Sequence, residues 1–289
     1  MAIAIIERSG RKLKRRNHRR IFPAEDRCHN IDIWSIILEH GIREGAITEM
    51  RVSLFITCLV DEFFPRVGES MVKVLRRLGA SVEFDGRQTC CGQPAFNTGY
   101  RQYARQLGER WLHIFADAEY VVAPSGSCVS MVKHYYPELF EDDPVLRHRA
   151  EEVSGRVYEF SDFLVNVLGV EDVGARFHGR VTYHDACHTL RELRIAEPPR
   201  RLIRAVRGVE FVEMERADQC CGFGGTFSVK LADLSYAMLR DKMACIRQSG
   251  ADVVVSTDSS CLMHIAGALQ RQGIRVRTMH LAELLAMEE

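Results

Sequence analysis

The cysteines of this chain repeat. Cys58, the adjacent pair Cys90-Cys91 before Gly92, and Cys128 return as Cys187, Cys220-Cys221 before Gly222, and Cys261, at offsets of 129, 130 and 133 residues. At the chain's own cysteine and glycine usage, a Cys-Cys-Gly triplet is expected about 0.03 times by chance. Two triplets in register with flanking cysteines therefore mark two copies of one folding unit. Each copy must bring four thiols, from three places far apart in sequence, to a single site.

The text between the cysteines repeats as well. Each half opens on a β-rich run that ends near its first cysteine, Val52 to Thr57 and Val181 to His184. Apolar residues at helical spacing follow in the first half: Val67, Met71, Val74, Leu75 and Leu78. A second strand comes next, Ser81 to Phe84 or Val209 to Val212, and then the Cys-Cys-Gly turn. A longer helix is expected over roughly 99–116 and 230–248, and a buried strand over Tyr120 to Ala123 and Val253 to Ser256. Each half closes on a short strand and helix, Val157 to Leu168 and Val276 to Met287. Strands alternating with helices predict an α/β fold of two tandem pseudo-symmetric domains. Each is a mostly parallel sheet with helices on both faces. The expected boundary lies near Glu171 to Gly179, giving domains at 50–170 and 171–289. The cysteines then gather at the carboxyl edge of each sheet, where open α/β sheets bind ligands.

Residues 1–49 read differently. Arg8, Arg11, Lys12, Lys14, Arg15, Arg16, Arg19 and Arg20 fall in one short stretch without an acid. The stretch follows a short apolar start, the wrong order for a secretory signal. It reads as a disordered or artefactual leader, with a nucleic-acid or membrane-surface arm as the alternative. Met50 directly precedes the first expected strand and would serve as a start for a self-contained protein. The whole chain balances 39 Lys+Arg against 39 Asp+Glu, but without the leader the count is 29 against 32. No overall basic field marks nucleic acid as a partner. No apolar run of about 18 residues marks a membrane span.

Ten cysteines in 289 residues are too sparse for a disulfide scaffold, and nothing marks the chain as exported. Thiolates are soft ligands suited to iron–sulfur clusters and zinc. Adjacent cysteines point in different directions and can reach two irons of one cluster. Zinc on four cysteines usually shows Cys-x₂₋₄-Cys knuckles, and the motif positions contain none. A thiol–disulfide redox site uses the same residues. The expected metal ligands are thus Cys58, Cys90, Cys91 and Cys128, and Cys187, Cys220, Cys221 and Cys261. Gly92, Gly222, Gly224 and Gly225 are expected to give backbone room around the bound group. Gly222 to Gly225 do not form a nucleotide loop, because position 227 is Phe where Gly-x-Gly-x-x-Gly needs glycine. His188 is expected as a nearby proton or hydrogen-bond donor. His184-Asp185-Ala186-Cys187-His188 also carries a Cys-His nucleophile reading, disfavoured because neighbouring side chains on a strand end diverge. Cys245, Trp34 and Trp111 read as packing residues, and Cys28 as a loose thiol in the leader.

Thr57-Cys58-Leu59-Val60-Asp61, Cys90-Cys91-Gly92-Gln93-Pro94-Ala95, Pro124-Ser125-Gly126-Ser127-Cys128, His184-Asp185-Ala186-Cys187-His188, Cys220-Cys221-Gly222-Phe223-Gly224-Gly225 and Ser259-Ser260-Cys261 resemble the cysteine-rich CCG-domain family. The resemblance covers residues 50–289 and not the leader. It implies the two-domain fold and a cytoplasmic iron–sulfur electron-transfer subunit of an L-lactate-oxidising complex. It also implies one [4Fe–4S]-type cluster per domain and two partner subunits, one of them ferredoxin-like. More distant relatives imply alternatives: a thiol/disulfide reductase of the heterodisulfide reductase type, or an iron–sulfur subunit for glycolate or glycerol-3-phosphate oxidation. A non-enzymatic, zinc-stabilised assembly subunit is a further alternative. The heterodisulfide reductase pattern ends each motif in Cys-x-x-Cys and supplies five cysteines per cluster. Here Ser125 and Asp258 stand at the first cysteine of each terminal pair, which leaves four per half and keeps an oxygen ligand from either residue open.

Overall fold

β-Branched runs of three to eight residues, each followed by a helix, build two sheets in the computed structural model, which describes residues 50–288. The basic run, Cys28 and Trp34 lie outside the described residues, as does the leader expected to precede a start at Met50. The strands are β1 (Arg51–Leu54), β2 (Ser81–Glu83), β3 (Tyr120–Ala123), β4 (Val157–Glu159), β5 (Arg176–Tyr183), β6 (Arg207–Phe211), β7 (Val253–Ser256) and β8 (Arg277–His280). The first sheet has the order β2-β1-β3-β4 and the second β6-β5-β7-β8. Every pairing is parallel. The two halves thus share one topology, each an α/β unit whose crossovers carry helices.

Some boundaries differ from those the sequence suggests. Phe55 N–H still donates to Val122 O of β3 at 3.0 Å, and the ladder ends at the residue after it. Ile56 N–H donates to the side chain of Gln88 at 2.6 Å. β5 starts at Arg176, well before the expected Val181, and pairs with β6 across a register shift between Arg176 and Gly179. It ends at Tyr183, so His184 already belongs to the loop. The long helices run Arg101–Ile114 and Ala232–Ser249. Helices at Met131–Tyr135, Phe163–Val167 and His188–Glu192 are π-helical turns, which no local pattern announces.

Alternation along each central strand divides the core. Val122 of β3 and Val253 and Val255 of β7 face one shared inner core, which joins Val52, Leu54, Phe160 and Phe163 to Val181, Tyr183, Leu202 and Leu285. Val121 faces a second cluster with Phe55, Trp111 and Tyr136, and Val254 faces a third with Met243, Ile246 and Ile265. Helices of each half line the inner face of its own sheet and pack on the helices of the other half, so one continuous apolar core joins the two by the hydrophobic effect.

The contacts between halves come in matched pairs, as a pseudo-twofold axis demands. Helix Pro65–Arg77 packs on the last helix of the other half, Leu281–Ala286, and helix Glu197–Ala205 packs on Phe160–Asp162. Helix Cys58–Phe63 meets Ser259–Arg271, and Gly126–Ser130 meets the turn His188–Glu192. Arg77 ties the first pair by donating to the carbonyls of Val173, Leu285 and Ala286 at 3.0, 3.1 and 3.2 Å.

At Gly126 the halves approach so closely that an added methyl would fall inside the Thr189 side chain, 2.8 Å from its Cβ. Gly126→Ala is expected to cost about 1–3 kcal/mol in urea unfolding, the usual range for overpacking. Gly267→Ala, on an exposed helix turn with open space around it, serves as the control. It is expected to be neutral or to stabilise by about 0.5–1 kcal/mol.

Candidate metal centres

In each half the connections after three strands, β1, β2 and β3 or β5, β6 and β7, contribute to a cysteine set. Cys58 opens the helix after β1, and Cys128 sits within helix Gly126–Ser130 after β3. Cys90 and Cys91 lie in the loop between them. The second half repeats this with Cys187 before the turn His188–Glu192 and Cys261 in helix Ser259–Arg271. Cys220 and Cys221 lie in the matching loop. In each set the second cysteine of the pair and the last cysteine are buried, and the other two are half-buried. Cys245 is buried in the core of the second half, as a packing residue should be.

The first set closes to sulfur–sulfur contact: Cys58 to Cys90 at 3.6 Å and Cys91 to Cys128 at 3.4 Å. A disulfide needs about 2.05 Å, so these are free thiols. The set shares its protons. Cys58 donating to Cys90, with help from Cys91 and the Gly92 amide, pulls the Cys90 thiol far below its ordinary range. The same contact with Cys90, then burial, pushes Cys58 up. Hydrogen bonding to Cys128 and Cys90, then burial, does the same to Cys91. The second set repeats the pattern. Cys220 is pulled down by Cys187, Cys221 and the Gly222 amide, while Cys187 is pushed up by Cys220 and burial. Such a set holds thiolate at low cost and releases its remaining protons to a metal.

The glycines after each pair have a backbone role. Gly92 and Gly222 sit at φ +85° and +88°, and their amides donate to Cys90 and Cys220 sulfur at 3.4 and 3.3 Å. An added Cβ would lie 3.2 Å from Ala104 O at Gly92, but 2.6 Å from Ser235 O at Gly222. Both alanine variants are expected to lose about 1–2 kcal/mol for the left-handed backbone. Gly222→Ala is expected to lose more than Gly92→Ala in chemical unfolding, because only it drives a methyl into a carbonyl. Gly224 and Gly225 also take positive φ, and their carbonyls accept from Phe227 and Ser228 to close the turn before helix Phe227–Lys230.

His188 lies at the junction of the halves. Its Nε2 is 3.4 Å from Gln93 Nε2, and Gln93 also donates to Ser127 O at 3.1 Å. A neighbour of Cys91 thus touches a neighbour of Cys128 and a neighbour of Cys187. Ser125 and Asp258 meet one another at the same junction. Ser125 Oγ accepts from Cys128 N–H at 3.4 Å and donates to Asp258 Oδ2 at 3.2 Å. Asp258 Oδ1 caps the helix of Cys261 through Ser260 N–H at 3.1 Å. Both oxygens of Asp258 and the single oxygen of Ser125 are engaged in capping and in joining the halves.

Several positioning residues carry no recognisable motif. Gln88 clamps the end of β1 to the loop before Cys90, accepting from Ile56 N–H and donating to Leu54 O at 3.0 Å. Tyr136 OH donates to Cys91 O at 2.9 Å. In the second half the buried Lys242 holds the equivalent loop, donating to the carbonyls of Arg216 and Ala217 at 2.8 and 3.1 Å. Ser235 Oγ donates to Gly222 O at 2.8 Å. Arg200 grips Asp185 with both Nη atoms, at 2.9 and 2.7 Å, just ahead of Cys187.

His184 also joins the site without a spacing that marks it as a ligand. It is fully buried, neither ring nitrogen makes a hydrogen bond of acceptable geometry, and it stands beside Cys221 and Cys261. Its ligand atom and their sulfurs all lie within 4.8 Å of one another. Burial, then Lys242, lowers its pKa to about 3, so the imidazole is neutral. Superposing the halves on Cys58 and Cys187 sets His184 opposite Phe55, an exchange visible in the sequence once the repeat is aligned.

The donor sets are sulfur-rich, partly deprotonated and placed where α/β sheets bind ligands, so they fit a soft metal or an iron–sulfur group. Comparison with known proteins agrees with the duplication. The pattern of the CCG cysteine-rich domain matches twice, over residues 52–133 and 181–266. The chain is 50% identical over 236 residues to a protein named Lactate utilization protein A from Bacillus velezensis, covering 82% of this chain and 99% of that one. It is 48% identical to proteins of the same name from Bacillus subtilis, with the same coverage, and from Geobacillus kaustophilus, covering 82% and 98%. Two matched sheets, two matched thiol sets and two matches to one domain pattern have a single explanation: the chain belongs to the CCG cysteine-rich domain family.

Proposed function

We propose that this chain is the iron–sulfur electron-transfer subunit of a cytoplasmic system that oxidises L-lactate to pyruvate. One [4Fe–4S]-type cluster would be held by Cys58, Cys90, Cys91 and Cys128, and another by Cys187, Cys220, Cys221 and Cys261. The partners are a ferredoxin-like iron–sulfur subunit and a third subunit. The observation that carries this reading is that one chain holds two matched thiol sets, with Gln93, two residues after Cys91, in contact with His188, next to Cys187. The substrate comes from the name shared by the relatives. Among the described residues no helix is long and apolar enough to cross a membrane.

Oxidising a 2-hydroxy acid to a 2-oxo acid releases two electrons and two protons. Iron–sulfur clusters supply one-electron carriers, so two sites in series suit that stoichiometry. The chain's own residues set the sites. The Gly92 and Gly222 amides donate to thiolate sulfur, which favours the reduced form of a cluster. The half-buried Cys58, Cys90, Cys187 and Cys220 lie on the outer side, open to exchange with a partner.

One observation favours a second reading. A tetrahedral zinc with sulfur ligands at about 2.3 Å spaces them about 3.8 Å apart. The contacts of 3.4 and 3.6 Å need little opening to reach that value. This reading makes the chain a zinc-stabilised assembly subunit. Anaerobic purification with iron, acid-labile sulfide and zinc analysis, followed by electron paramagnetic resonance of the dithionite-reduced protein, decides between them. Iron and sulfide in equal amounts with a reducible signal are expected. Zinc without sulfide overturns the electron-transfer reading.

A further inference from the structure

The two centres are not chemically alike. We infer that His184 supplies a nitrogen ligand to the centre formed by Cys187, Cys220, Cys221 and Cys261, whereas the first centre has only sulfur. The inference rests on the reading of the two thiol sets as metal centres.

Three observations support it. First, His184 is wholly buried with both ring nitrogens unpartnered. A buried imidazole without partners carries a desolvation penalty that a bound metal would remove. Second, its reach is right, because its ligand atom and the sulfurs of Cys221 and Cys261 lie within 4.8 Å of one another. Third, the first half has no counterpart. Phe55 stands at that place, its ring edge-on to Trp111 at 5.5 Å and to Phe115 at 5.7 Å. Trp111 Nε1 is also unpartnered, but an indole N–H is a donor only and cannot coordinate.

The surroundings changed in step. Ala104 and Ser235 present their carbonyls to Gly92 and Gly222, and Trp111 and Lys242 each follow seven residues later. Where the first half backs its phenylalanine with an indole, the second half backs its imidazole with a buried lysine. Lys242 anchors on the Arg216 and Ala217 carbonyls. A neutral nitrogen ligand adds less negative charge than a thiolate, and nitrogen ligation goes with higher potentials in iron–sulfur groups. A nearby cation acts in the same direction. An iron–sulfur group at the second site would therefore be reduced more readily than one at the first.

The test uses the full chain labelled with ¹⁵N-histidine, reduced anaerobically and examined by pulsed electron paramagnetic resonance. A nitrogen coupling of the size given by direct coordination is expected in the wild type and in Cys90→Ser. It is expected to vanish in His184→Phe, which copies the first half, and to persist in His188→Ala. The wild-type spectrum needs no variant to fold. Absence of the coupling there overturns the proposal, as does its survival in His184→Phe or its loss in His188→Ala. If the metal is zinc, the electron-transfer reading fails while the ligand assignment is still tested. His184→Phe should then lower zinc retained by the second half against a competing chelator at least about tenfold. Unchanged retention overturns the assignment.

Discussion

Cys220→Ser is expected to remove about half of the bound metal, and Cys90→Ser the other half, with the folded chain surviving each change. Each residue is the thiolate of its set, stabilised by a neighbouring thiol and by a glycine amide at 3.3 or 3.4 Å. Serine keeps the size but replaces a soft, readily ionised donor with a hydroxyl that stays protonated. The two losses should add, because the sets share no ligand. Metal analysis of the two single variants and the double variant reads the outcome directly. If either single variant keeps its full metal complement, the assignment of four cysteines to each half is wrong.

Arg200→Ala is expected to cost about 3–5 kcal/mol of stability, more than either glycine change at the cysteine loops. Arg200 meets Asp185 through two bonds and Glu213 through Nε and Nη2, both at 2.8 Å, and donates to Ala196 O at 2.8 Å. The side chains of Arg200 and Asp185 are only 10% and 4% exposed. Removing the guanidinium strands a carboxylate away from water, and the stranded charge costs more than the intact pair contributes. Asp185 sits between His184 and Cys187, so the second centre should lose metal before the first does. Arg200→Ala with Asp185→Ala should lose less stability than the sum of the single changes, which a double-mutant cycle in denaturant measures.

The duplication, the parallel α/β architecture and the convergence of the cysteines are legible in the sequence because they depend on local pattern. Tyr120–Ala123 and Val253–Ser256 are short apolar runs buried in the sheet centre, and their ends match the expectation to the residue. β5 looks short in the sequence because Arg176-Phe177-His178-Gly179-Arg180 holds a single apolar side chain and a glycine, and pairing with β6 extends the strand there. The junction of the halves is not legible. Gly126 against Thr189, Gln93 against His188 and Ser125 against Asp258 join residues 63, 95 and 133 positions apart, which no periodicity records. His184 is hidden differently. As a motif member it competes with Cys187 for a catalytic reading. Its burial and its unpaired nitrogens are three-dimensional facts.

The shared inner core has a consequence for ancestry. A single half made alone would present that face to water, and the simplest cover for it is a second copy of itself. The fold is therefore what an isologous homodimer becomes once its two chains are joined. A true dimer must place the same residue on both sides of its axis, so any change appears twice. Joining the copies in one chain lifts that rule. Ser125 can then meet Asp258 instead of another serine, and Phe55 can persist on one side while His184 occupies the other. A single joined chain thus permits two unequal sites within one near-symmetric frame.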